Sequence, residues 1–207
     1  MPLSFHDRNF VMSERLDTSF IPALFSSSRG HGPIDMLVIH YTAGPTLEDC
    51  IGLFRNPEHP VSCHYIIGLD GATVQMVFDH DCAWHCGVSR WGDRDRCNPW
   101  ALGIEIVNWG QLQLHEHRFY CWPDDYTTPY EGVSPVFLDN AWWAPYTHKQ
   151  TEQVVSLSRS LIESYRIPLH HIVRHSDIAP ARKIDPGPAF PWENFKAQMR
   201  QTIHDRW

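Results

Sequence analysis

Short apolar runs of strand length, several of them ending on an ionisable residue, constrain the fold of this chain most. Residues 34–41 are apolar in the middle and end on a histidine followed by a tyrosine, and residues 171–175 also end on a histidine. Residues 102–107 carry one carboxylate among apolar neighbours, and residues 63–78 hold two apolar runs around an Asp-Gly turn. Runs of this length predict buried strands, and the Asp-Gly turn predicts a hairpin.

Helix signals lie between and after these runs. Thr46 is a suitable N-cap, and Thr147 with Gln150 has the form of a capping box ahead of apolar residues spaced by three and four. Pro168 ends that second pattern, and a last helix is expected over residues 192–204. Strands and helices in this order predict a single α/β domain with a central mixed β-sheet flanked by α-helices.

Two segments stand apart from this pattern. Residues 1–33 are predicted to form an N-terminal arm that packs onto the domain at 34–207. Residues 109–145 are rich in proline and aromatic side chains, which predicts a packed aromatic loop insertion near a functional face. The tryptophans of this segment are Trp122, Trp142 and Trp143. They would either form a wall that stacks on sugar rings or provide hydrophobic packing under the loop.

Charge and hydropathy exclude several classes of protein. The chain has 207 residues and a formal net charge of −7, which does not favour a nucleic-acid binder. The sequence contains no uncharged apolar run long enough to predict a membrane span. The first residues do not have the form of a secretory signal. The expected location is therefore the cytoplasm, with export to the cell wall by a signal-independent route as the alternative. The oligomeric state is left open.

The six cysteines are interpreted as reduced thiols rather than a disulfide framework. Cys82, His85 and Cys86 have a spacing that resembles metal ligands. A structural zinc site needs a second pair of ligands at matching spacing, and none follows cleanly.

A different set of residues is better suited to a metal. His40 and His175 each end a predicted strand, and Asp185 follows in a proline-rich stretch, so two imidazoles and one carboxylate suit a catalytic zinc. Each has a structural alternative, because a histidine at a strand end is often a hydrogen-bonded core residue and an aspartate before proline often starts a turn. The role of Glu105 is also left open, since the alternation of side chains along residues 102–107 does not settle which face of the strand is buried. Lys183 is equally compatible with an ordinary surface charge.

Four sequence segments, in order along the chain, together resemble one enzyme family. They are residues 38–43 (VIHYTA), 83–89 (AWHCGVS), 102–108 (LGIEIVN) and 175–188 (HSDIAPARKIDPGP). This chain resembles the zinc-dependent N-acetylmuramoyl-L-alanine amidases, which include the AmpD-type recycling amidases, several phage endolysins and the peptidoglycan recognition proteins. The resemblance runs from about residue 34 to about residue 195.

The resemblance implies a role for each motif residue. His40, His175 and Asp185 match the ligands of one zinc ion per chain, and Glu105 matches the catalytic carboxylate that moves a proton from water to the leaving amine. Lys183 matches the cation that stabilises the oxyanion. The implied reaction is hydrolysis of the amide between N-acetylmuramic acid and L-alanine, in peptidoglycan or in its muropeptide fragments.

The resemblance also implies residues that contact the substrate. Trp84 and Arg96 resemble positions that line the cleft in the recycling branch, and His64 resembles a strand position near the metal. A core aromatic and a surface charge are the alternatives for Trp84 and Arg96. Cys63 and Cys86 depart from the residues more usual at their positions.

Three other functions remain to be weighed. A non-catalytic peptidoglycan-binding receptor on the same fold would be expected to lack a ligand, the glutamate or the lysine, and all are present here. A histidine-rich metal-storage protein would scatter its ligands over the surface. A cysteine peptidase would need a Cys–His pair, and the adjacent Cys63 and His64 would point to opposite faces of a strand.

Overall fold

Helices and strands follow the predicted order in a computed structural model that describes residues 18–30, 32–121 and 125–204. The strands are β1 (Thr18–Phe20), β2 (Ser27–Ser28), β3 (Met36–Tyr41), β4 (Tyr65–Ile67), β5 (Thr73–Gln75), β6 (Asp81–Cys82), β7 (Arg90–Trp91), β8 (Arg94–Asp95), β9 (Ala101–Ile106), β10 (Gln111–His115), β11 (Arg118–Cys121), β12 (Asp125–Pro129), β13 (Val136–Leu138), β14 (Ala141–Trp143) and β15 (Ile172–Arg174). The helices are α1 (Leu47–Phe54), α2 (His148–Tyr165), α3 (His175–Ile178) and α4 (Trp192–His204).

A six-stranded mixed sheet is the centre of the molecule, with the order β1-β5-β4-β9-β3-β15. The neighbouring strands β4, β9, β3 and β15 are parallel to one another. Strands β4 and β5 form the predicted antiparallel hairpin. The predicted α/β fold with a central mixed sheet is therefore confirmed.

Side chains of the central strands alternate between two apolar layers. Leu37 and Ile39 of β3 belong to the cluster formed with α2 and α4, whereas Met36 and Val38 belong to a cluster on the opposite face. All four are fully buried. Parallel strands covered on both faces read as continuous apolar runs, which is why residues 34–41 alternate so little in polarity.

The predicted helix starts are present with their side-chain caps. The Thr46 hydroxyl accepts a hydrogen bond from the backbone N–H of Asp49 at 3.1 Å. Thr147 and Gln150 make both bonds of the capping box, at 3.1 and 3.0 Å. These reciprocal bonds satisfy backbone donors that the first turn of a helix leaves without partners.

The N-terminal arm contributes to the sheet within its described part, which begins at residue 18. β1 adds an edge strand beside β5, and the buried guanidinium of Arg29 donates to the carbonyl oxygens of Asp79 and Ala101 at 2.8 and 3.0 Å. Residues 1–17 of the predicted arm lie outside the described residues.

The insertion differs from its prediction as a loop. Strands β10 to β14 form a separate five-stranded antiparallel sheet with the order β12-β11-β10-β14-β13. Its turns at residues 116–117 and 139–140 have positive φ at both central residues, as the type I′ turns of two-residue hairpins require. The loop prediction was wrong here because an aromatic, proline-containing stretch disguised short strands joined by tight turns.

The tryptophans of the insertion pack in the structure. Trp143 is buried and donates from its indole N–H to the Leu138 carbonyl at 3.1 Å. Trp142 is half-buried between the rings of Phe119 and Phe137, with centroids 5.1 and 5.0 Å away. Packing is therefore the interpretation that fits these two side chains, and Trp122 lies outside the described residues.

Two further predictions concern the whole chain. Within the described ranges, no helix combines the length and the apolar character that crossing a bilayer demands. The six cysteines are free thiols, and five of them are buried.

Candidate metal centre and cleft

Three neighbouring parallel strands end at the candidate site. His40 lies near the end of β3, directly opposite Glu105 of β9 in the register of the sheet. On the other side of β3, Ile39 pairs with Arg174 of β15, so that His175 follows immediately at the same edge. Registered residues of parallel strands project to the same face, so the fold brings His40 and Glu105 together although 64 residues separate them in the sequence.

Asp185 completes a cluster with the two histidines. Its Oδ2 atom lies 3.2 Å from Nδ1 of His40 and 3.0 Å from Nδ1 of His175, and the two Nδ1 atoms are 2.9 Å apart. The loop that carries Asp185 is tied back to α3, because the Ser176 N–H donates to the Asp185 carbonyl at 3.0 Å. The structure thus brings the three predicted ligands to one point.

The cluster fits a zinc ion by its donor atoms and by its geometry. Zinc–nitrogen bonds of about 2.0–2.1 Å in a tetrahedron place neighbouring ligand atoms about 3.3 Å apart, close to the separations observed. The relative exposure of His40, His175 and Asp185 is 1%, 3% and 5%. In the part of the chain that the structure describes, this is the one set of three His, Cys, Asp or Glu side chains whose ligand atoms converge within 4.8 Å.

The charges in the cluster suit a metal. Burial, reinforced by His175, lowers the pKa of His40 to about 4, so this ring is neutral at pH 7. Burial alone would raise the pKa of Asp185, but hydrogen bonds with His175 and His40 hold it well below its usual value. A neutral imidazole and an ionised carboxylate are the forms in which these side chains bind a divalent cation.

Glu105 lies beside this cluster with one oxygen uncommitted. Within the described residues, its buried Oε2 atom has no hydrogen-bond partner. Burial and the negative charge of Asp185 raise its pKa well above the usual value, and Lys183 partly opposes that shift. A carboxyl group whose pKa is displaced towards neutrality is suited to accept and return a proton. The strand face that the sequence left open is therefore settled, because Glu105 faces the metal cluster.

A cleft of about 340 Å³ opens over these residues. Glu105, His175 and Asp185 line it, together with the cations Arg182 and Lys183. Trp84 also lines it, half-buried, with its indole N–H donating to the Ser27 hydroxyl at 3.2 Å. Lys183 and Trp84 thus share a cleft with His175 and Asp185, and their roles in it remain predictions.

Arg96 and His64 are placed elsewhere. Arg96 is exposed and has a positive φ of 59°, and it is not among the residues that line this cleft. His64 is fully buried, with its Nδ1 accepting from the Gly103 N–H at 3.1 Å and its Nε2 lying 3.2 Å from the Asp81 carbonyl oxygen. Substrate contacts by these two residues remain predictions.

The sequence analysis considered His85 only in a metal-like spacing with Cys82 and Cys86 and gave it no role in this cleft. This residue is buried, lines the cleft, and has its Nδ1 atom 2.9 Å from Nε2 of His40. Its signal was present in the segment at residues 83–89, where only Trp84 was assigned a role. A second signal is Gly103, since a Cβ there would lie 2.6 Å from the His85 Nδ1 atom.

Size alone would have pointed to the wrong cavity. A larger groove of about 510 Å³ lies between α2 and α4, with Val155, Phe190 and Phe195 in its wall. None of the predicted site residues lines it. The chemistry of the side chains, rather than the volume, identifies the cleft at the sheet edge as the candidate site.

Comparison with known proteins agrees with the cleft. The family described as N-acetylmuramoyl-L-alanine amidase matches residues 30–188, a range that includes every residue of the metal cluster. This chain belongs to that amidase family. The predicted resemblance to AmpD-type amidases is thereby confirmed.

Individual relatives of this amidase-family chain cover most of it. It is 34% identical over 144 residues to the 1,6-anhydro-N-acetylmuramyl-L-alanine amidase AmpD of Salmonella typhimurium strain SL1344. That match covers 70% of this chain and 60% of the relative. AmpD of Haemophilus influenzae is 30% identical over 185 residues, or 81% of this chain and 83% of that protein. The N-acetylmuramoyl-L-alanine amidase AmiD of Escherichia coli is 31% identical, and the match spans 53% of its length. This chain therefore matches little more than half of the first and third of these relatives.

Solved structures share the fold. A crystal structure of a selenomethionine derivative of AmpD superposes with a TM-score of 0.65 at 27% identity, covering 87% of this chain and 93% of that one. E. coli AmiD, in complex with the substrate anhydro-N-acetylmuramic acid-L-Ala-D-γ-Glu-L-Lys, superposes with a TM-score of 0.62 at 30% identity, covering 86% and 60%.

Proposed function

We propose that this chain hydrolyses the amide bond between N-acetylmuramic acid and L-alanine in peptidoglycan or its muropeptide fragments. The observation that carries the proposal is the convergence of two Nδ1 atoms and one Oδ2 atom within 3.2 Å. Beside them lies a carboxyl oxygen of Glu105 that has no hydrogen-bond partner among the described residues. Membership in the amidase family and similarity to AmpD and AmiD support the bond that is cut.

His40, His175 and Asp185 would hold a zinc ion. Zinc bound by three protein ligands polarises carbonyl oxygens and lowers the pKa of water to about 7. The donor set supports this assignment, since two imidazoles and a carboxylate leave a fourth position open. The burial of all three side chains also supports it, because water competes poorly with ligands inside the protein.

Glu105 would act as the general base and then the general acid. Its free oxygen would accept a proton from the attacking water and return it to the amine of L-alanine as the carbon–nitrogen bond breaks. The raised pKa of this carboxyl supports the second step, because the protonated form persists at a higher pH than it does for an exposed glutamate.

Lys183 would stabilise the negative charge that develops on the carbonyl oxygen. Its place in the cleft wall and its electrostatic effect on Glu105 support this role. Trp84 would pack against the substrate in the same cleft. We retain Arg96 and His64 as candidate substrate contacts, with Arg96 pairing with a carboxylate of the stem peptide.

The test uses zinc-loaded and chelator-stripped protein, each given an anhydromuropeptide and intact sacculi, with products identified by mass spectrometry. Zinc-dependent release of free stem peptide is expected. Release from the small fragment alone would assign a soluble substrate, and release from sacculi as well would assign a wall-lytic enzyme. Zinc binding with no release from either substrate would contradict the proposal and favour a peptidoglycan-binding receptor.

Cellular location is a separate part of the proposal. We retain the cytoplasm as the expected location and signal-independent export to the cell wall as its alternative. Cell fractionation with an antibody against the full chain distinguishes the two.

A further inference from the structure

The histidines of the candidate metal cluster, His40 and His175, are each contacted at Nε2 by one of two consecutive residues, His85 and Cys86. The Nε2 atom of His40 lies 2.9 Å from Nδ1 of His85, and the Nε2 atom of His175 lies 3.2 Å from the carbonyl oxygen of Cys86. The opposite nitrogen of each ring, Nδ1, faces Asp185. Each imidazole is therefore engaged on both sides.

These contacts favour one position for the proton of each ring when a cation lies at the two Nδ1 atoms. Nε2 of His175 lies 3.2 Å from the Cys86 carbonyl oxygen, nearer than the 3.4 Å to Nη2 of Arg182. A carbonyl oxygen only accepts hydrogen bonds, so when Nε2–H donates to Cys86, Nδ1 of the neutral ring keeps its lone pair. His40 has the same arrangement when its Nε2–H donates to Nδ1 of His85. In that state the lone pairs of both Nδ1 atoms point to the place where a cation would bind.

The segment at His85 and Cys86 is itself fixed by several groups. The side-chain oxygen of Asn98 accepts from the backbone N–H groups of His85 and Cys86, at 3.2 and 2.7 Å. The guanidinium of Arg182 donates to the Cys86 carbonyl and, at 2.9 Å, to the carbonyl of Val88. These bonds leave the segment little freedom to move away from the two rings.

We propose that His85 and the Cys86 carbonyl hold the two histidine ligands in the Nε2-protonated form, and that Asn98 holds this pair in place. His85 and Asn98 are then positioning residues of the metal centre rather than ligands. The inference rests on the zinc site of the proposed function and extends it to residues outside that site. Partners of this kind typically contribute about 10–100-fold to metal affinity.

The first test measures zinc affinity by competition with a chromophoric chelator. His85→Leu cannot accept a hydrogen bond and is expected to bind zinc about 10–100-fold more weakly. His85→Asn places an amide oxygen near the former Nδ1 position and is expected to recover most of that loss. Equal affinities for both variants, whether normal or reduced, would overturn the proposal, because only a hydrogen-bond acceptor distinguishes them.

A control variant addresses the general cost of losing a shielded histidine. His171 is also mostly shielded, with its Nδ1 atom 3.0 Å from the Asp35 carbonyl oxygen, and it contacts none of the three ligands. His171→Leu is expected to leave zinc affinity unchanged. A loss as large as that of His85→Leu would assign the effect to general destabilisation and overturn the proposal.

Asn98 provides a second pair of variants. Asn98→Asp keeps an oxygen that accepts from both backbone N–H groups, whereas Asn98→Leu does not. We expect zinc affinity to fall in Asn98→Leu and to stay within about threefold of wild type in Asn98→Asp, a smaller effect than at His85 because the contact is indirect. Unchanged affinity in Asn98→Leu would remove Asn98 from the proposal.

The second test needs no variant. Ring ¹⁵N NMR of the zinc-loaded full chain reports which nitrogen of His40 and His175 carries the proton. Protons on both Nε2 atoms are expected, and a proton on Nδ1 of either ring would contradict the proposal. Failure of this inference is distinguishable from failure of the proposed function. Wild-type protein that binds no zinc contradicts the proposed function. Zinc-dependent cleavage by wild type, together with normal zinc affinity in His85→Leu, contradicts only this inference.

Discussion

The central sheet and the sheet of the insertion are built from different kinds of contact. In the central sheet, β3, β9 and β15 are far apart in the sequence, and their pairing brings residues 40, 105 and 175 to one edge. In the insertion, β10 pairs with β11 and β13 with β14, each across a two-residue turn. The first sheet thus depends on long-range pairing and the second largely on local hairpins.

Burial follows the same division. β3 and β9 are buried on both faces, whereas the insertion exposes large apolar side chains such as Leu114 and Phe137, at 55% and 57%. Functional groups at the edge of a doubly covered sheet are held by a rigid support, which a metal centre requires. The comparison indicates that the chemistry depends on the central sheet.

Removal of a ligand is expected to have the largest effect. Asp185→Ala leaves two imidazoles without their carboxylate, so we expect loss of zinc and of all measurable amidase activity. Metal content by mass spectrometry and stem-peptide release measure the two effects. Glu131→Ala, an exposed carboxylate of the insertion, is the matched control and should retain both. Zinc bound normally by Asp185→Ala would remove this aspartate from the ligand set.

Loss of the proton carrier is expected to come next. Glu105→Gln preserves the shape of the side chain but cannot accept the proton, so turnover should fall by about 10²–10⁴-fold with zinc still bound. Steady-state kinetics on an anhydromuropeptide measure the change, with Glu131→Gln as the control. Near-normal turnover in Glu105→Gln would show that another group moves the proton.

Truncating a side chain of the central sheet should cost more unfolding free energy than truncating one in the sheet of the insertion. Ile104 of β9 is fully buried between β3, β4 and the helices, and Ile104→Ala is expected to cost about 2–5 kcal/mol of unfolding free energy. Phe137→Ala on the exposed face of the insertion should cost about 1 kcal/mol, mainly from its ring contact with Trp142. Chemical denaturation measures both, and equal losses would contradict the proposed division.

Stability of the metal-free protein is also expected to depend on pH. Burial lowers the pKa of His40 from 6.5 to about 4 and that of His64 to about 3, so the folded state binds fewer protons than the unfolded state between about pH 4 and 6.5. Unfolding free energy should therefore rise with pH in this window, approaching about 1.4 kcal/mol per pH unit for each ring.

The pH measurement is cleaner in a Glu105→Gln background. The raised pKa of Glu105 contributes with the opposite sign, because the folded state keeps that proton above the pH at which the unfolded state loses it. Denaturation at pH 5.0 and 6.5 is sufficient. A flat profile would mean that these histidines are accessible to water in the folded protein.

Much of the local structure was predictable because its causes are local. The capping box at Thr147 and Gln150 and the strand at residues 34–41 depend on neighbouring residues alone. The insertion was predicted poorly, although its hairpins are also local, because proline and aromatic residues obscured the alternation of its strands. The turn at Asp139 and Asn140 was the signal that would have found them.

The sequence by itself determined the order of strands and helices, the family and the three candidate ligands, because each depends on local pattern or on matching motifs. Only the tertiary structure decided that Glu105 lies opposite His40 and that His85 contacts the same ring. It also shows that Arg96 and His64 are not among the residues that line the cleft. The physical reason is the register of parallel strands, since a shift of one residue would turn Glu105 to the opposite face. Long-range pairing sets that register, and no local pattern records it.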